Sequence, residues 1–525
     1  MRLHDYLEYY AQVQPDVTFC EFVEPNSTQT MSYAEANSRA NQMARAMLDQ
    51  GLQFGDRFTY LSRNSTDMIL MFYAAAKMGA IPIPLNYRLA PREWSYIIND
   101  SEATLLIADA EYIDSIQGIH NELEHIKHYV AVGGGNNSDQ WIDHESWITQ
   151  NNDANLNLRI NEENQLYQMY TSGTTGLPKG AMISHRSIDN NLGMLRRLLG
   201  LGRENERMLT VMPLYHAGGA VLSMAGVSEG ATMVLHKDFD PTATIDSMAN
   251  DGITMGLLVP AMIQACLVEV PDIAERKFPN LAIMCYGASP IAEETLRQAI
   301  KVFDCDFVQV FGMTETSAVA TALLPDDHQK ALAGNPELLL SAGRQVLGTE
   351  IKIFDEHGVE VSRGTIGEIA IRGPQVMMGY WHLDEATTKS IKDGWMFTGD
   401  AATMDKDGYI YIQDRIKDMI VSGGENIYPR EIENALFEHP DIADVAAIGV
   451  PSEKWGESIL AFVVPRDGAS LTTEQLIEFC RERLAGFKVP RQFEFIDLLP
   501  RNASGKVLKK ELREPYWQGI DRRVG

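Results

Sequence analysis

No two cysteines in this chain stand close together. Cys20, Cys266, Cys285, Cys305 and Cys480 are scattered without a CxxC pair or a zinc-like spacing, which excludes a zinc knuckle or dithiol redox motif and suits a reducing compartment. Positive charge is also scarce: 45 Lys and Arg against 72 Asp and Glu leave a formal net charge of −27. That balance argues against a general nucleic-acid binder, because neutralising a phosphate backbone needs a basic surface. It does not exclude a nucleotide held in a pocket, where a few local cations and backbone donors decide. Long apolar runs are missing too. The most apolar stretch, residues 68 to 85, is broken by Lys77, Gly79, Pro82 and Pro84 and reads as a helix followed by a strand, with no integral membrane span. The start, Met1-Arg2-Leu3-His4-Asp5-Tyr6-Leu7-Glu8, carries acidic residues where a signal peptide needs an apolar run. The expected location is cytoplasmic.

What is present is a chain of 525 residues with the composition of a soluble globular protein, long enough for about three to four domain-sized units. Ser32 and Glu35 form a capping-box pattern, and Tyr33, Ala36, Ala40, Met43 and Met47 recur at helical spacing until Gly51. Arg57 to Leu61 then reads as a strand, Thr66 to Met78 as a helix ended by Gly79, and Ile81 to Leu85 as another strand. This βαβ alternation predicts an α/β fold with a parallel sheet. The Gly, Asn and Asp-rich segment from Gly133 to Asn157 reads as mostly irregular. A helix over Ile188 to Leu199 and strands at Met208 to Met212, Thr232 to Leu235 and Leu281 to Tyr286 continue the pattern. From about residue 343 short strands with turn signals, Glu350 to Phe354 and Gly367 to Arg372, predict a smaller β-rich subdomain. A new pattern begins near Arg415 to Asp418. Strands at Met419 to Ser422, Ala443 to Gly449, Ile459 to Val464 and Phe493 to Ile496, with helices at Pro429 to Phe437 and Thr473 to Leu484, predict a separate α+β domain. The expected division is residues 1 to 415 and 416 to 525.

One stretch concentrates chemistry. Residues 170 to 180 read Tyr-Thr-Ser-Gly-Thr-Thr-Gly-Leu-Pro-Lys-Gly. Gly173 and Gly176 let the backbone approach an anion, Thr171, Ser172, Thr174 and Thr175 donate hydroxyls, and Lys179 adds positive charge. The same composition would serve an ordinary surface loop. It is not a Walker A loop, since Pro178 precedes the lysine and Gly180 follows it. Further on, Val310-Phe311-Gly312-Met313-Thr314-Glu315 places a carboxylate at a strand end beside hydroxyls, suited to Mg²⁺ held against nucleotide phosphates. A solvated loop glutamate is the plainer account of Glu315. Asp400 and Arg415 read equally well as an ion pair, His216 as a core histidine, and Lys506 as an exposed lysine on a loop.

Taken in order, these motifs resemble the signature set of the adenylate-forming superfamily, which includes acyl-CoA synthetases, luciferases and peptide-synthetase adenylation domains. The resemblance covers nearly the whole chain. It implies a large N-terminal α/β domain with parallel sheets and a β-rich subdomain, plus a small mobile α+β C-terminal domain. It also implies a ligase that activates a carboxylic acid with ATP and Mg²⁺ and then transfers the acyl group to coenzyme A. By this resemblance Phe311, where many relatives have Tyr, stacks on adenine beside Gly312, Thr314 contacts the α-phosphate, and Thr171 and Glu315 hold the metal. Gly287, Ala288 and Ser289 border the adenine edge, Asp400 grips the ribose and Arg415 the nucleotide. Lys506 reaches the reacting carboxylate and α-phosphate, where a cation would neutralise developing charge. His216 lies between acyl pocket and CoA tunnel, Gly423 and Gly424 meet the pantetheine arm, and Lys417 marks the hinge of a rotating C-terminal domain.

The acid itself is less constrained. Tyr215, Gly218, Gly219 and the stretch Met313 to Ala320 fall where pockets of the family are built, and the glycines leave room for a long or bulky acid. A medium- or long-chain fatty acid is the first expectation and an aromatic acid of the cinnamate or benzoate kind the second. A luciferase-type oxygenase would share the motifs, and a non-catalytic nucleotide sensor would need neither Glu315 nor Lys506. A homodimer is compatible with the chain.

Overall fold

The computed structural model describes residues 1–518 apart from 26, 135–139, 172–176, 290, 424, 467 and 502–506. Two sheets with parallel cores carry the larger part of the chain. In the first, nine strands run in spatial order Arg344–Gln345, Thr321–Leu323, Asp306–Phe311, Ile283–Gly287, Met255–Leu258, Arg207–Thr210, Thr232–His236, Thr18–Glu24 and Ser27–Ser32. The six strands from Asp306–Phe311 to Thr18–Glu24 pair in parallel, and antiparallel strands finish both edges. The second sheet is parallel throughout: Ile81–Leu85, Arg57–Leu61, Leu105–Asp109, His128–Val132 and Trp141–Asp143. Parallel sheets need cover on both faces, and the helix Thr66–Met78 shows how complete that cover is. Ser65 caps it by accepting from the Met68 N–H, Gly79 ends it in the left-handed region at φ 77°, and every residue from Met68 to Met78 is buried. Among them is Lys77, whose ammonium donates to Glu8 and Asn37. Burial pulls its pKa below the ordinary lysine value in spite of Glu8.

The predicted helix after Ser32 spans Tyr33–Asp49, and both halves of the capping box form, Ser32 accepting from Glu35 N–H and Glu35 from Ser32 N–H. The stretch from 133 to 157, expected to be mostly irregular, also carries two short elements. Trp141–Asp143 adds an edge strand to the second sheet, and Asp143 caps the helix His144–Thr149 through the Ser146 N–H. Trp147 is buried there. A three-residue strand and a six-residue helix are too short to show a period; the burial of Trp141, His144, Trp147 and Ile148 organises them.

A three-stranded antiparallel sheet of Gln165–Thr171, Lys179–Ser184 and Gly379–Tyr380 sits beside the parallel sheets. The β-rich subdomain pairs Glu350–Phe354, Gly367–Arg372, Trp395–Met404 and Ile391–Lys392, with Ile410–Arg415 added on Trp395–Met404. After the 3₁₀ turn Ile416–Asp418 the chain builds a further sheet from Ile420–Ser422, Glu425–Ile427, Ile442–Ser452, Gly456–Pro465 and Gln492–Phe495. The helices Pro429–Phe437 and Thr473–Arg481 pack on it around Ile432, Leu436, Leu476 and Cys480. No helix among the described residues is long and apolar enough to cross a membrane.

Candidate active site

The hydroxyl and glycine stretch begins and ends on two paired strands. Gln165–Thr171 and Lys179–Ser184 pair antiparallel with Thr171 opposite Lys179, so the first hydroxyl and the lysine face one another across the base of the loop. Ser172, Gly173, Thr174, Thr175 and Gly176 lie outside the described residues.

Glu315 stands beside this base. It occupies the 3₁₀ turn Thr314–Thr316 that follows the strand Asp306–Phe311, and it is only 5% exposed. A carboxylate buried to this degree needs donors. Among the described residues it has two, both on Oε1: the Thr171 hydroxyl at 3.3 Å and the Tyr380 hydroxyl at 2.8 Å. The backbone holds the turn as well, since Met377 N–H donates to the Glu315 carbonyl. The Lys179 ammonium lies 5.0 Å from the centre of the Tyr380 ring, within cation–π range. Thr171 and Glu315, named from sequence, thus meet directly, and Lys179, also named, is joined to Glu315 through Tyr380, which was not. Nothing in the spacing around Gly379-Tyr380 separates this tyrosine from one in the core, because its partner is set by the tertiary fold.

No group of three or more His, Cys, Asp or Glu able to hold a metal occurs among the described residues. A cation here would have one protein carboxylate and complete its shell from phosphate oxygens and water. That is the usual manner of Mg²⁺, which is seldom caged by protein alone, so Glu315 and Thr171 fit a metal that arrives with a polyphosphate.

Asp400 and Arg415 face each other across the strands Trp395–Met404 and Ile410–Arg415. Arg415 Nε is 2.7 Å from Asp400 Oδ1, a close ion pair without the alignment of a hydrogen bond. Asp400 foremost, and Glu315 among others, hold the guanidinium above its ordinary pKa against the cost of burial. Arg415 therefore feels both the proposed ribose carboxylate and the proposed metal carboxylate. Lys417, two residues on, is half-buried. Burial lowers its pKa, opposed by Asp418 and reinforced by Arg415.

Two glycines prove to be packing residues. A Cβ on Gly287 would meet the Val310 carbonyl oxygen at 2.2 Å, and one on Gly312 the Ala318 oxygen at 2.3 Å, so strand neighbours already require them. The adjoining backbone is unusual: Ala288, exposed beside half-buried Ser289, has φ 66°, and Ser317 and Ala318 have φ 52° and 85°. Left-handed non-glycine residues cluster where a fold holds a functional surface in place. Phe311 is partly buried against Ile351, Ile353 and their neighbours at the subdomain junction.

His216 caps the helix Ala217–Ser228 from its N-terminal side, with its ring 4.5 Å from that of Tyr215. Burial, then the nearby Arg88 charge, pull its pKa down to about 4, so it is neutral at pH 7. Its Nε2 is buried without a partner among the described residues. No hydrogen bond or ion pair among them joins His216 to the Glu315 cluster. The expectation that both following glycines leave room needs correction. Gly218 faces open space, but a Cβ on Gly219 would meet the Pro213 carbonyl oxygen at 2.6 Å, so Gly219 serves close helix packing. Gly423, at φ 64°, donates its N–H to the Trp455 carbonyl. Gly424 and Lys506 lie outside the described residues.

A model of the AMP-binding enzyme family matches residues 7–381, and a model of the AMP-binding enzyme C-terminal domain matches residues 431–506. The chain belongs to the AMP-binding enzyme family. Within it, the chain is 35% identical over 505 residues to a fatty acid–[acyl-carrier-protein] ligase, ScoC, of Streptomyces coeruleorubidus, covering 94% of this chain and 93% of that one. It is 34% identical to an indoleacetate–CoA ligase of Aromatoleum aromaticum, covering 98% of each. The crystal structure of ATP-bound MatB from Rhodopseudomonas palustris superimposes with a TM-score of 0.88 at 28% identity, over 98% of this chain and 99% of that one. The adenylate-forming fold, a large N-terminal domain with parallel sheets plus a C-terminal domain, is therefore that of the family.

Proposed function

We propose that this AMP-binding enzyme is an AMP-forming acid–thiol ligase that converts a medium- or long-chain fatty acid to its coenzyme A thioester. The observation that carries the nucleotide half of this reading is the meeting of Thr171 and Glu315 at the base of the hydroxyl and glycine loop. In the first step a carboxylate oxygen attacks the α-phosphorus of ATP, the bond to the bridging oxygen breaks, and pyrophosphate leaves. In the second the CoA thiolate attacks the acyl carbon and AMP departs. No protein nucleophile is required, so catalysis rests on positioning and charge neutralisation. Mg²⁺, when bound, would offset phosphate charge, with Glu315 and Thr171 as its protein groups. Thr314 would contact the α-phosphate, Phe311 and the 287 to 289 segment would enclose adenine, and Asp400 and Arg415 would grip the ribose side. Lys506 would supply the cation at the reacting oxygens. Neutral His216 would form an uncharged wall between acyl pocket and CoA tunnel, and Gly423 and Gly424 would meet the pantetheine arm.

We divide the chain at 415/416, with Lys417 as hinge, because the sheet partner changes there. The five unpaired cysteines favour a cytoplasmic setting. Open space at Gly218 and the fatty-acid ligase among the relatives support an acyl chain. A second reading, an aromatic acid, is favoured by the indoleacetate ligase and by the rings of Tyr87 and Tyr215, which meet edge to face at 5.5 Å.

Pyrophosphate release across a panel of acids tests both readings. Octanoate to palmitate should lead and cinnamate and benzoate trail; the reverse order installs the aromatic reading, and no acid-dependent release ends the ligase assignment. Lys506→Ala should slow adenylate formation by about 10²- to 10³-fold while sparing thioester formation from supplied acyl-adenylate; equal loss in both steps would remove its assigned role.

A further inference from the structure

We propose that Tyr380 is a positioning residue for adenylate formation, its hydroxyl orienting the Glu315 carboxylate and its ring seating Lys179. The proposal rests on the reading of Glu315 as the group that receives the phosphate-bound cation. Four observations carry it.

Both hydroxyl donors to Glu315 converge on Oε1, Tyr380 at 2.8 Å and Thr171 at 3.3 Å. No hydrogen bond to Oε2 occurs among the described residues, so the shorter bond fixes the rotation of the carboxylate and turns the other oxygen to a ligand. Tyr380 is itself a rigid donor. It is 6% exposed, so its phenol is held in packing with its hydroxyl directed at the Glu315 carboxylate. Its backbone is clamped to the hairpin that bears the loop: Tyr380 registers with Ala181 and Gly379 with Met182, and Trp381 N–H donates to the Gly180 carbonyl. Tyr380 N–H donates in turn to the Thr387 hydroxyl. Finally, the ring of the same side chain meets Lys179, whose ammonium is 5.0 Å from the ring centre. A single tyrosine thus relates the lysine at one side of the loop to the carboxylate at the other. Phenylalanine would fill the same volume and keep the cation–π contact, but would leave Glu315 free to turn.

The test is Tyr380→Phe in the full-length enzyme, read by binding of Mn²⁺ to enzyme holding a non-hydrolysable ATP analogue, followed by electron paramagnetic resonance, and by the Mg²⁺ requirement of adenylation. Removing one hydrogen bond to a charged group should weaken Mn²⁺ binding and raise the Mg²⁺ requirement roughly tenfold. The KM for the carboxylic acid and thioester formation from supplied acyl-adenylate should be unchanged. Tyr380→Leu, which also removes the ring, should in addition raise the KM for ATP. Glu315→Gln separates the layers. If Glu315→Gln leaves metal binding intact, the reading of Glu315 fails and the proposal falls with it. If Glu315→Gln weakens metal binding and Tyr380→Phe does not, the reading survives and the role of Tyr380 is refuted.

Discussion

Adjacent glycines in the helix Ala217–Ser228 answer to different demands. A methyl group on Gly219 would strike the Pro213 carbonyl oxygen, whereas one on Gly218 would enter open space. Gly219→Ala should therefore lower stability by about 1–3 kcal/mol, the usual range for overpacking, visible as a fall in melting temperature. Gly218→Ala should melt like the parent and change only which acids are accepted. A chain-length profile shifted toward shorter acids in Gly218→Ala alone would tie the open space to substrate, and an unchanged profile would detach it. Residues of this kind mark the limit of reading a sequence. Glu315, Asp400 and Arg415 are legible because their charges need partners wherever they lie. Whether a glycine is there for a ligand or for a neighbouring carbonyl depends on a distance that no spacing encodes, and the hydroxyl of Tyr380 is useful only because the fold brings Glu315 beside it.

The N-terminal helix Leu3–Val13 shows how an element with few fully buried side chains is kept in place. Only Leu3, His4 and Leu7 are buried in it, and Leu3 N–H donates to Nδ1 of buried His185, which caps no charge and must be neutral to accept. Burial foremost, opposed by Asp5 and aided by Arg2 and the terminal amine, brings the His185 pKa down to about 4. An unfolded histidine titrates near 6.5, so the unfolded chain binds this proton first. The stability held by the neutral ring is complete above pH 6.5 and is lost as pH falls toward 4, about 3 kcal/mol in all. His4 and His216, lowered to about 3 and about 4, act in the same direction. Thermal melts between pH 7 and 4 should fall steadily, and His185→Gln should flatten the slope; an equal slope in both would exclude His185. Sequence periodicity finds helices such as Tyr33–Asp49 and Thr66–Met78, which carry capping serines and a regular buried stripe. It passes over Leu3–Val13 and His144–Thr149, whose burial rests on three side chains each and on distant partners.

Across the whole molecule, the approach to the C-terminal domain is fastened by charge. Lys509 Nζ lies 3.0 Å from Asp414 and 2.8 Å from Glu433, and Arg513 reaches Asp418 at 2.9 Å. Burial opposes the Lys509 charge, yet Asp414, Glu433 and Asp418 together hold its pKa above the ordinary range. Removing the ammonium leaves two carboxylates uncompensated, so Lys509→Met should destabilise this region by about 3 kcal/mol or more. The readout is limited proteolysis between residues 415 and 425, where cleavage should accelerate while the larger domain melts as before. Unchanged cleavage would mean that the apolar core around Ile432 and Leu476 suffices. The order of assembly has its own consequence. The third strand of the loop-bearing sheet, Gly379–Tyr380, pairs with Lys179–Ser184 only after roughly two hundred further residues have been made, and such distant pairings form slowly. A nascent chain that has only just delivered Lys179–Ser184 still lacks the third strand of this sheet; the bond from Tyr380 to Glu315 forms late, as a sign that the body of the fold has already closed.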